Sequence, residues 1–146
     1  MKNWEIRQCS TDREIVEVVQ FLNDEYGDDL GINWNCKQIT GKLNLNPNGK
    51  GVMLAAYFNE KVISCLSLTM KKIVIGNSAV LIAEIGDSYT AKNVLKNRTE
   101  YSCSEIYQGE NQYINQSIFG RLVYEIEIEA KKRGVNMIYG TPNHRS

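Results

Sequence analysis

The sequence lacks a charge imbalance and has no apolar run long enough to cross a bilayer. Its 17 basic and 17 acidic residues cancel, so we expect no general attraction to nucleic acid or to an acidic membrane surface. No apolar run approaches the roughly 20 residues of a membrane helix. The first five residues also lack the apolar segment of a signal peptide. We therefore expect neither a nucleic-acid partner nor a membrane partner.

Cysteine pairs and histidine clusters are missing too. The cysteines are scattered without a C-x-x-C pair, at Cys9, Cys36, Cys65 and Cys103. Such scatter is typical of reduced thiols, so we expect a cytoplasmic protein, with a disulfide or metal framework as the alternative. His144 is the one histidine, which excludes a histidine-rich metal site, and we expect no metal.

The first half of the chain predicts a strand and two helices. Alternation of apolar and polar residues predicts the strand over Trp4–Cys9. Thr11 and Glu14 have capping-box spacing, and apolar residues at helical period follow. We predict a helix from Asp12 to Tyr26, ended by Gly27 to Asp29, and a second helix from Trp34 to Leu43.

An antiparallel meander is predicted next. Its strands are Val52–Phe58, Val62–Met70 and Val80–Ile85, with short turns between them. The third strand is predicted to turn polar at Gly86–Thr90. Residues 92–112 have no clear period, and we predict a surface loop there.

The strongest helical pattern comes late in the chain. We predict a helix from Asn115 to Arg133, ended by Gly134, followed by a short buried strand from Val135 to Tyr139. The predicted inward stripe is Ile118, Phe119, Leu122, Val123, Ile126 and Ala130, with Glu125, Glu127 and Glu129 largely solvated. A buried strand, a turn and an exposed helix N-terminus together favour an anion site.

This order of elements resembles the GNAT superfamily of CoA-dependent acyltransferases over nearly the whole chain. Three stretches carry the resemblance: Ala83–Thr90 is similar to the family's fourth strand, Ser117–Val123 to its cofactor-binding helix, and Ile138–Asn143 followed by Ser146 to its fifth strand and the next helix start. The resemblance implies an α/β (α+β) fold: a mixed, largely antiparallel sheet flanked by helices in a single domain spanning residues 1–146.

Two departures from the family pattern stand out. The family's loop usually reads Arg/Gln-x-x-Gly-x-Gly/Ala, whereas this chain has Ile114 to Phe119 there, without the glycines. Glycine permits close approach of a phosphate, so pyrophosphate binding is expected to be weakened. The family's C-terminal strands would lie beyond Ser146. We expect a C-terminally truncated chain, with closure of the sheet by a second subunit, a homodimer, as the alternative.

The resemblance implies acetyl-CoA as the co-substrate. Pantetheine would lie along the backbone of Ser88, Tyr89 and Thr90 as an added strand. The remaining implied cofactor-binding positions are Asn115, Gln116, Ser117, Ile118, Phe119 and Asn143. The acceptor would be the primary amine of a small molecule, such as an amino sugar or an amino acid.

An ammonium group must lose a proton before it attacks a thioester, and a nearby carboxylate is a suitable base. Glu84 and Asp87 are the candidate catalytic residues, Glu84 first. Strict alternation places them on opposite faces of the strand unless a bulge intervenes. The alternatives are that Glu84 pairs with a structural cation and that Asp87 caps a turn.

The chemistry has alternatives as well. The first hypothesis is an N-acetyltransferase, and the second is a GNAT-like module that binds or assembles without catalysis. An unrelated α/β binding protein is a third. Loss of the glycine loop favours the second hypothesis, whereas retention of Glu84 and Asp87 favours the first.

Overall fold

The structure is a computed structural model that describes residues 3–101 and 117–141. Strand β1, Glu5–Gln8, leads into helix α1, Asp12–Leu22. The predicted capping box is confirmed: the Thr11 hydroxyl accepts from the Glu14 amide, and the Glu14 carboxylate accepts from the Thr11 amide. These bonds satisfy two of the helix's otherwise unpaired N–H groups.

The first helical segment extends beyond Gly27, where the sequence predicted its end. A π-helical turn over Asn23–Gly27 continues α1 into α2, Asp28–Leu30. Gly27 has helical backbone angles, whereas Gly31 has a φ of 62° and ends the run. The prediction that Gly27 to Asp29 end the helix is therefore wrong, because the left-handed residue that terminates it lies at Gly31.

Helix α3 spans Cys36–Asn44 and begins at the Asn35 side chain, which accepts from the Gln38 amide. Its buried residues are Ile39 and Leu43, as predicted. After α3, the backbone at Gly51 lies very close to the backbone of Leu68. A Cβ atom at Gly51 would lie 2.3 Å from the Leu68 carbonyl oxygen. The chain then enters the sheet.

The sheet has five strands in the order β1-β2-β3-β4-β5. Strands β2 (Val52–Phe58), β3 (Lys61–Ile75) and β4 (Ser78–Thr90) form the antiparallel meander. Strand β5, Met137–Gly140, pairs with β4 in parallel. The predicted α+β architecture with a mixed, largely antiparallel sheet is therefore confirmed.

The segment after β4 differs from the predicted loop. Helix α4 covers Lys92–Lys96 and a 3₁₀ turn covers Arg98–Tyr101. Val94 and Tyr101 are buried, and the Tyr101 carbonyl accepts a hydrogen bond from the Trp4 indole at 2.9 Å. In the described part of this segment, residues 92–101, the prediction of a loop is therefore replaced by two short helical turns, each of which buries one side chain.

Helix α5, Ile118–Lys132, packs against β2 and β3. Its described stripe includes Leu122 and Ile126, both fully buried. Phe119 is 48% exposed, so its predicted inward position is wrong. Glu125 and Glu129 are half-buried rather than largely solvated, because Arg121 and Arg133 pair with them one turn along the helix.

Strand β5 is less buried than predicted. Met137 is 50% exposed, because only four residues of the strand pair with β4 and no further strand covers it among the described residues. Gly134 precedes the strand with a φ of 71°, the left-handed value expected just after a helix. In the described ranges, no helix is both long enough and apolar enough to cross a bilayer.

Candidate active site

A β-bulge interrupts β4 at Asp87. On the neighbouring strand, Ser67 pairs with Gly86 and Cys65 with Tyr89, so that Leu66 stands opposite two residues. Asp87 has a φ of 45°, a value that few residues other than glycine adopt. Strand β4 therefore continues through the predicted polar turn to Thr90, and the local departure from a regular strand is confined to the bulge.

The bulge brings both candidate carboxylates to one face of the sheet. Glu84 pairs with Thr69, which shares a face with Ser67 two residues away. The Ser67 hydroxyl donates to the Asp87 carboxylate at 2.9 Å. Because of the bulge, Glu84 and Asp87 face the same side of the sheet.

Asp87 lies at the centre of a polar cluster from three elements. Its carboxylate accepts from the Ser67 hydroxyl on β3 and pairs with the Lys42 ammonium on α3. The Lys42 nitrogen also lies 3.4 Å from the Ser67 oxygen. Only 14% of the Asp87 side chain is exposed. These partners fix the carboxylate beneath α3, so the simple turn-capping alternative does not describe it.

Glu84 also has a lysine partner. Its carboxylate pairs with the Lys71 ammonium, and 25% of the Glu84 side chain is exposed. The hydrogen bond to Glu84, and secondarily one to Tyr139, raises the pKa of Lys71 above its usual value. The structural alternative for Glu84, a partner cation, is therefore present in the molecule.

Beyond the bulge, Tyr89 packs rather than projecting freely. Its ring centroid lies 4.8 Å from that of Tyr26 and 5.5 Å from that of Trp34. Burial, followed by the charge of Asp87, raises the pKa of the Tyr89 phenol. Thr90 is tied to β3, where its hydroxyl lies 2.8 Å from that of Ser64. Ser88 is the second of the two bulge residues that stand opposite Leu66.

Strand β4 extends beyond the end of its parallel neighbour, β5. The pairing with β5 extends from Ile82 to Ile85, where Gly140 is the last partner. From Gly86 to Thr90, the edge of β4 that faces away from β3 has no strand partner in the described ranges. Side chains already engage two carbonyls of this stretch, because the Ser64 hydroxyl donates to the Tyr89 carbonyl and the Tyr26 hydroxyl donates to the Thr90 carbonyl. The other backbone groups on this edge suit a ligand that binds as an added strand.

Helix α5 begins at Ser117, whose hydroxyl accepts from the Gly120 amide at 2.9 Å. The Arg121 amide donates to the Ser117 carbonyl at 3.0 Å. Ile118 is buried and Phe119 is exposed at this end. A 15-residue helix presents a partial positive charge here.

The structure leaves several predicted site residues without a description. Asn115, Gln116 and Asn143 lie outside the described residues. Among the described candidates, it brings Glu84 and Asp87 to one face of β4 and places Ser88, Tyr89 and Thr90 just beyond. The roles assigned to all these residues stay predictions.

Sequence reasoning missed the residues that contact the two carboxylates. Ser67 and Lys71 stand on one face of β3 with Thr69 between them, and this polar alternation was a readable signal. Lys42 is different, because its contact with Asp87 joins residues 45 positions apart. No local pattern indicates that pairing.

The cysteines described by the structure are free thiols. Cys9, Cys36 and Cys65 form no disulfide. Burial raises the pKa of Cys9 to about 11 and that of Cys65 well above its usual value. Cys9 and Cys65 are therefore protonated at neutral pH, and neither is a candidate nucleophile.

Comparisons with known proteins identify the fold. No protein-family model matches the chain, and neither does any curated protein sequence. Solved structures do match it. One is a predicted acetyltransferase with acetyl-CoA from Clostridium acetobutylicum, with a TM-score of 0.64 and 16% identity over 98% of this chain and 83% of the other.

Two further solved structures match this chain over a similar share of its length. Glucosamine-6-phosphate N-acetyltransferase from Arabidopsis thaliana has a TM-score of 0.63 and 10% identity, over 99% of this chain and 85% of that one. A transcriptional regulator from Bacillus halodurans C-125 has a TM-score of 0.64 and 16% identity, over 98% and 84%. Together with the strand order and the flanking helices, the matches to acetyltransferases show that the chain has the fold of GNAT-family acetyltransferases.

Proposed function

We propose that this protein is an acyl-CoA-dependent N-acetyltransferase that moves an acetyl group to the primary amine of a small molecule. The observation that supports the proposal is the part of β4 that extends beyond its pairing with β5 while it stays paired with β3. Its pairing with β5 stops at Ile85 and Gly140, while β4 continues to Thr90. A strand edge that has no strand partner among the described residues, and that lies beside a bulge, suits a pantetheine arm with its amide groups.

The residues around this edge fit an acyl-CoA. Pantetheine would hydrogen-bond to the backbone of Ser88, Tyr89 and Thr90. Its pyrophosphate would meet the N-terminal amides of α5, where Ile118 and Phe119 begin the helix. The Ser117 hydroxyl already accepts from the Gly120 amide, so the amides of Ile118 and Phe119 would be the ones that meet the anion.

The carboxylates would prepare the acceptor amine. Asp87 lies at the bulge and Glu84 lies on the same face, so an acceptor on the α3 side meets both. A carboxylate at hydrogen-bond distance, or one water away, can take the proton that the ammonium must lose. Acetyl-CoA supplies the activated acyl group, and the amine attacks its carbonyl carbon directly.

The acceptor is proposed to be an amino sugar or an amino acid. The likeness to an enzyme that acts on glucosamine 6-phosphate supports including amino sugars in the search. Identity at this level shows the fold alone, so the acceptor has to be found by assay.

The experiment is a steady-state assay of CoA release, read by a thiol reagent, with acetyl-CoA and a panel of amino sugars and amino acids. We expect acceptor-dependent release with at least one amine, and acetylated product by mass spectrometry. Acceptor-independent release alone would be hydrolysis. Absence of release across a wide amine panel, from a folded protein that binds acetyl-CoA, would contradict the proposal.

A non-catalytic binding module is the second candidate. The engagement of both carboxylates by Lys42 and Lys71 favours it, because a base that is already paired must first exchange partners. The missing glycines at Ile114 to Phe119 point the same way. This candidate predicts binding without turnover in the same assay.

A further inference from the structure

A primary amine of the protein itself lies against one of the carboxylates that the proposed chemistry uses to deprotonate the acceptor. The Lys42 ammonium pairs with the Asp87 carboxylate, and Asp87 is one of the two candidate bases. Asp87 sits at the bulge, one residue before the segment proposed to hold pantetheine. A lysine side chain at that carboxylate has the nucleophile that the reaction requires.

The surroundings of Lys42 both leave its amine accessible and hold it in position for attack on an acyl group. Its side chain is 33% exposed, so solvent and a small molecule can reach it. The Ser67 hydroxyl bonds to the same Asp87 carboxylate and lies 3.4 Å from the Lys42 nitrogen. The amine is thereby held in one place, and positioning of this kind accelerates attack on a neighbouring carbonyl.

We infer that Lys42 is a self-acylation site: with acyl-CoA bound and no other amine present, Lys42 accepts the acetyl group. The inference rests on the proposed function, since it needs acetyl-CoA at the edge of β4. Acetylation would remove the charge of Lys42 and its ion pair with Asp87, because an amide nitrogen is neutral.

The step balances as an ordinary acyl transfer. Asp87 takes one proton from the Lys42 ammonium and later passes it to solvent. The freed lone pair forms the nitrogen–carbon bond, and the carbon–sulfur bond of the thioester breaks. CoA leaves as a thiolate and takes the second proton of the nitrogen. No oxidant, reductant or metal is required.

Lys71 is the competing site on the same face. Its ammonium pairs with Glu84, but Glu84 lies within the segment of β4 that still pairs with β5. Asp87 lies beyond that segment, beside the free edge. Lys42 is therefore the lysine closer to the proposed acyl position along β4.

The test is a lysine-by-lysine measurement of acetyl incorporation. The full chain is incubated with acetyl-CoA carrying a heavy isotope in the acetyl group, then digested, and each lysine is quantified by mass spectrometry. Lys37 is the internal control, because it is exposed on the same helix. The same incubation in denaturant measures the intrinsic reactivity of both lysines.

In the folded chain, we expect Lys42 to acetylate at least about tenfold faster than Lys37, through positioning and proton removal. In the unfolded chain, the ratio should approach one. Asp87→Asn should abolish the preference while Lys37 reacts as before. Ser67→Ala, which keeps the ion pair, should reduce the preference less.

Equal rates at Lys42 and Lys37 in the folded chain would overturn the inference, and so would a faster rate at Lys71. A calorimetric titration of the same sample with CoA separates this failure from that of the proposed function. Binding of CoA without a preference at Lys42 removes only the self-acylation site. Absence of both CoA binding and the preference removes the site and the transferase together.

Discussion

Glu84 and Asp87 lie three residues apart on β4, yet both side chains face the side of the sheet where α3 packs. The bulge at Asp87 produces this arrangement, because it adds one residue to β4 opposite Leu66. In a regular strand, the second carboxylate would point to the opposite face of the sheet. The bulge therefore gives the proposed acceptor site two carboxylates instead of one.

Removing either carboxylate should affect turnover and leave cofactor binding intact. Glu84→Gln and Asp87→Asn keep the size of each side chain, and both carboxylates are proposed to act on the amine. Whichever of the two variants removes the carboxylate that acts as the general base should lose about 10²-fold or more in kcat. Isothermal titration with acetyl-CoA should give the wild-type affinity for both variants. A large loss of affinity in either one would place its carboxylate at the cofactor instead.

The close approach at Gly51 should make it intolerant of any side chain. In Gly51→Ala, the new Cβ would meet the Leu68 carbonyl oxygen at 2.3 Å and a Leu43 methyl carbon at 2.7 Å. We expect a loss of about 1–3 kcal/mol in the free energy of unfolding. Gly41→Ala on α3 is the matched control, since nothing lies within 4 Å of its Cβ. That variant should gain about 0.5–1 kcal/mol. Equal effects in urea denaturation would contradict the described packing.

The capping box of α1 should contribute a pH-dependent stability. Hydrogen bonds from the Thr11 and Ser10 amides lower the pKa of Glu14 in the folded protein. Its contribution is therefore full above the unfolded value of about 4.3 and is lost as the pH falls through the lower folded pKa. Glu14→Gln should flatten the acid limb of stability against pH. An unchanged acid limb would show that these bonds do not persist in solution.

The hydroxyl of Ser117 should act mainly as a helix cap. Ser117→Ala removes the acceptor of the Gly120 amide bond and should cost about 1 kcal/mol in the free energy of unfolding. Thr11→Ala provides the comparison at α1, another helix with a side-chain cap, with a similar cost. Thermal or urea unfolding of the two variants checks this. A Ser117→Ala variant as stable as the wild type would mean that α5 starts elsewhere.

The sequence predicted the elements whose signals are local. The structure confirms the capping residues Thr11 and Glu14, the short turn after the strand Val52–Phe58 and the glycine Gly134 just after the last helix. The end of the first helix was missed, because Gly27 is helical and the left-handed residue is Gly31. Glycine alone does not reveal which of its two conformations it adopts.

The candidate site could be predicted only in part, because its contacts join segments that are far apart in the sequence. Glu84 and Asp87 could be named from strand position and chemistry, but the bulge that unites them depends on the register of β3 against β4. The contact of Lys42 with Asp87 depends on how α3 packs on the sheet. Both are tertiary relationships between distant segments, and neither leaves a periodic pattern in the chain.

The most direct test of the account is amide hydrogen exchange along β4, with and without acetyl-CoA. We expect acetyl-CoA to slow exchange at Gly86 to Thr90, because their free edge would become hydrogen-bonded to pantetheine. The β3–β4 turn at Gly76 and Asn77 serves as the control and should not change. Slower exchange at Gly86 to Thr90 alone would support a cofactor cleft at this edge. Unchanged exchange there, at saturating acetyl-CoA, would contradict it.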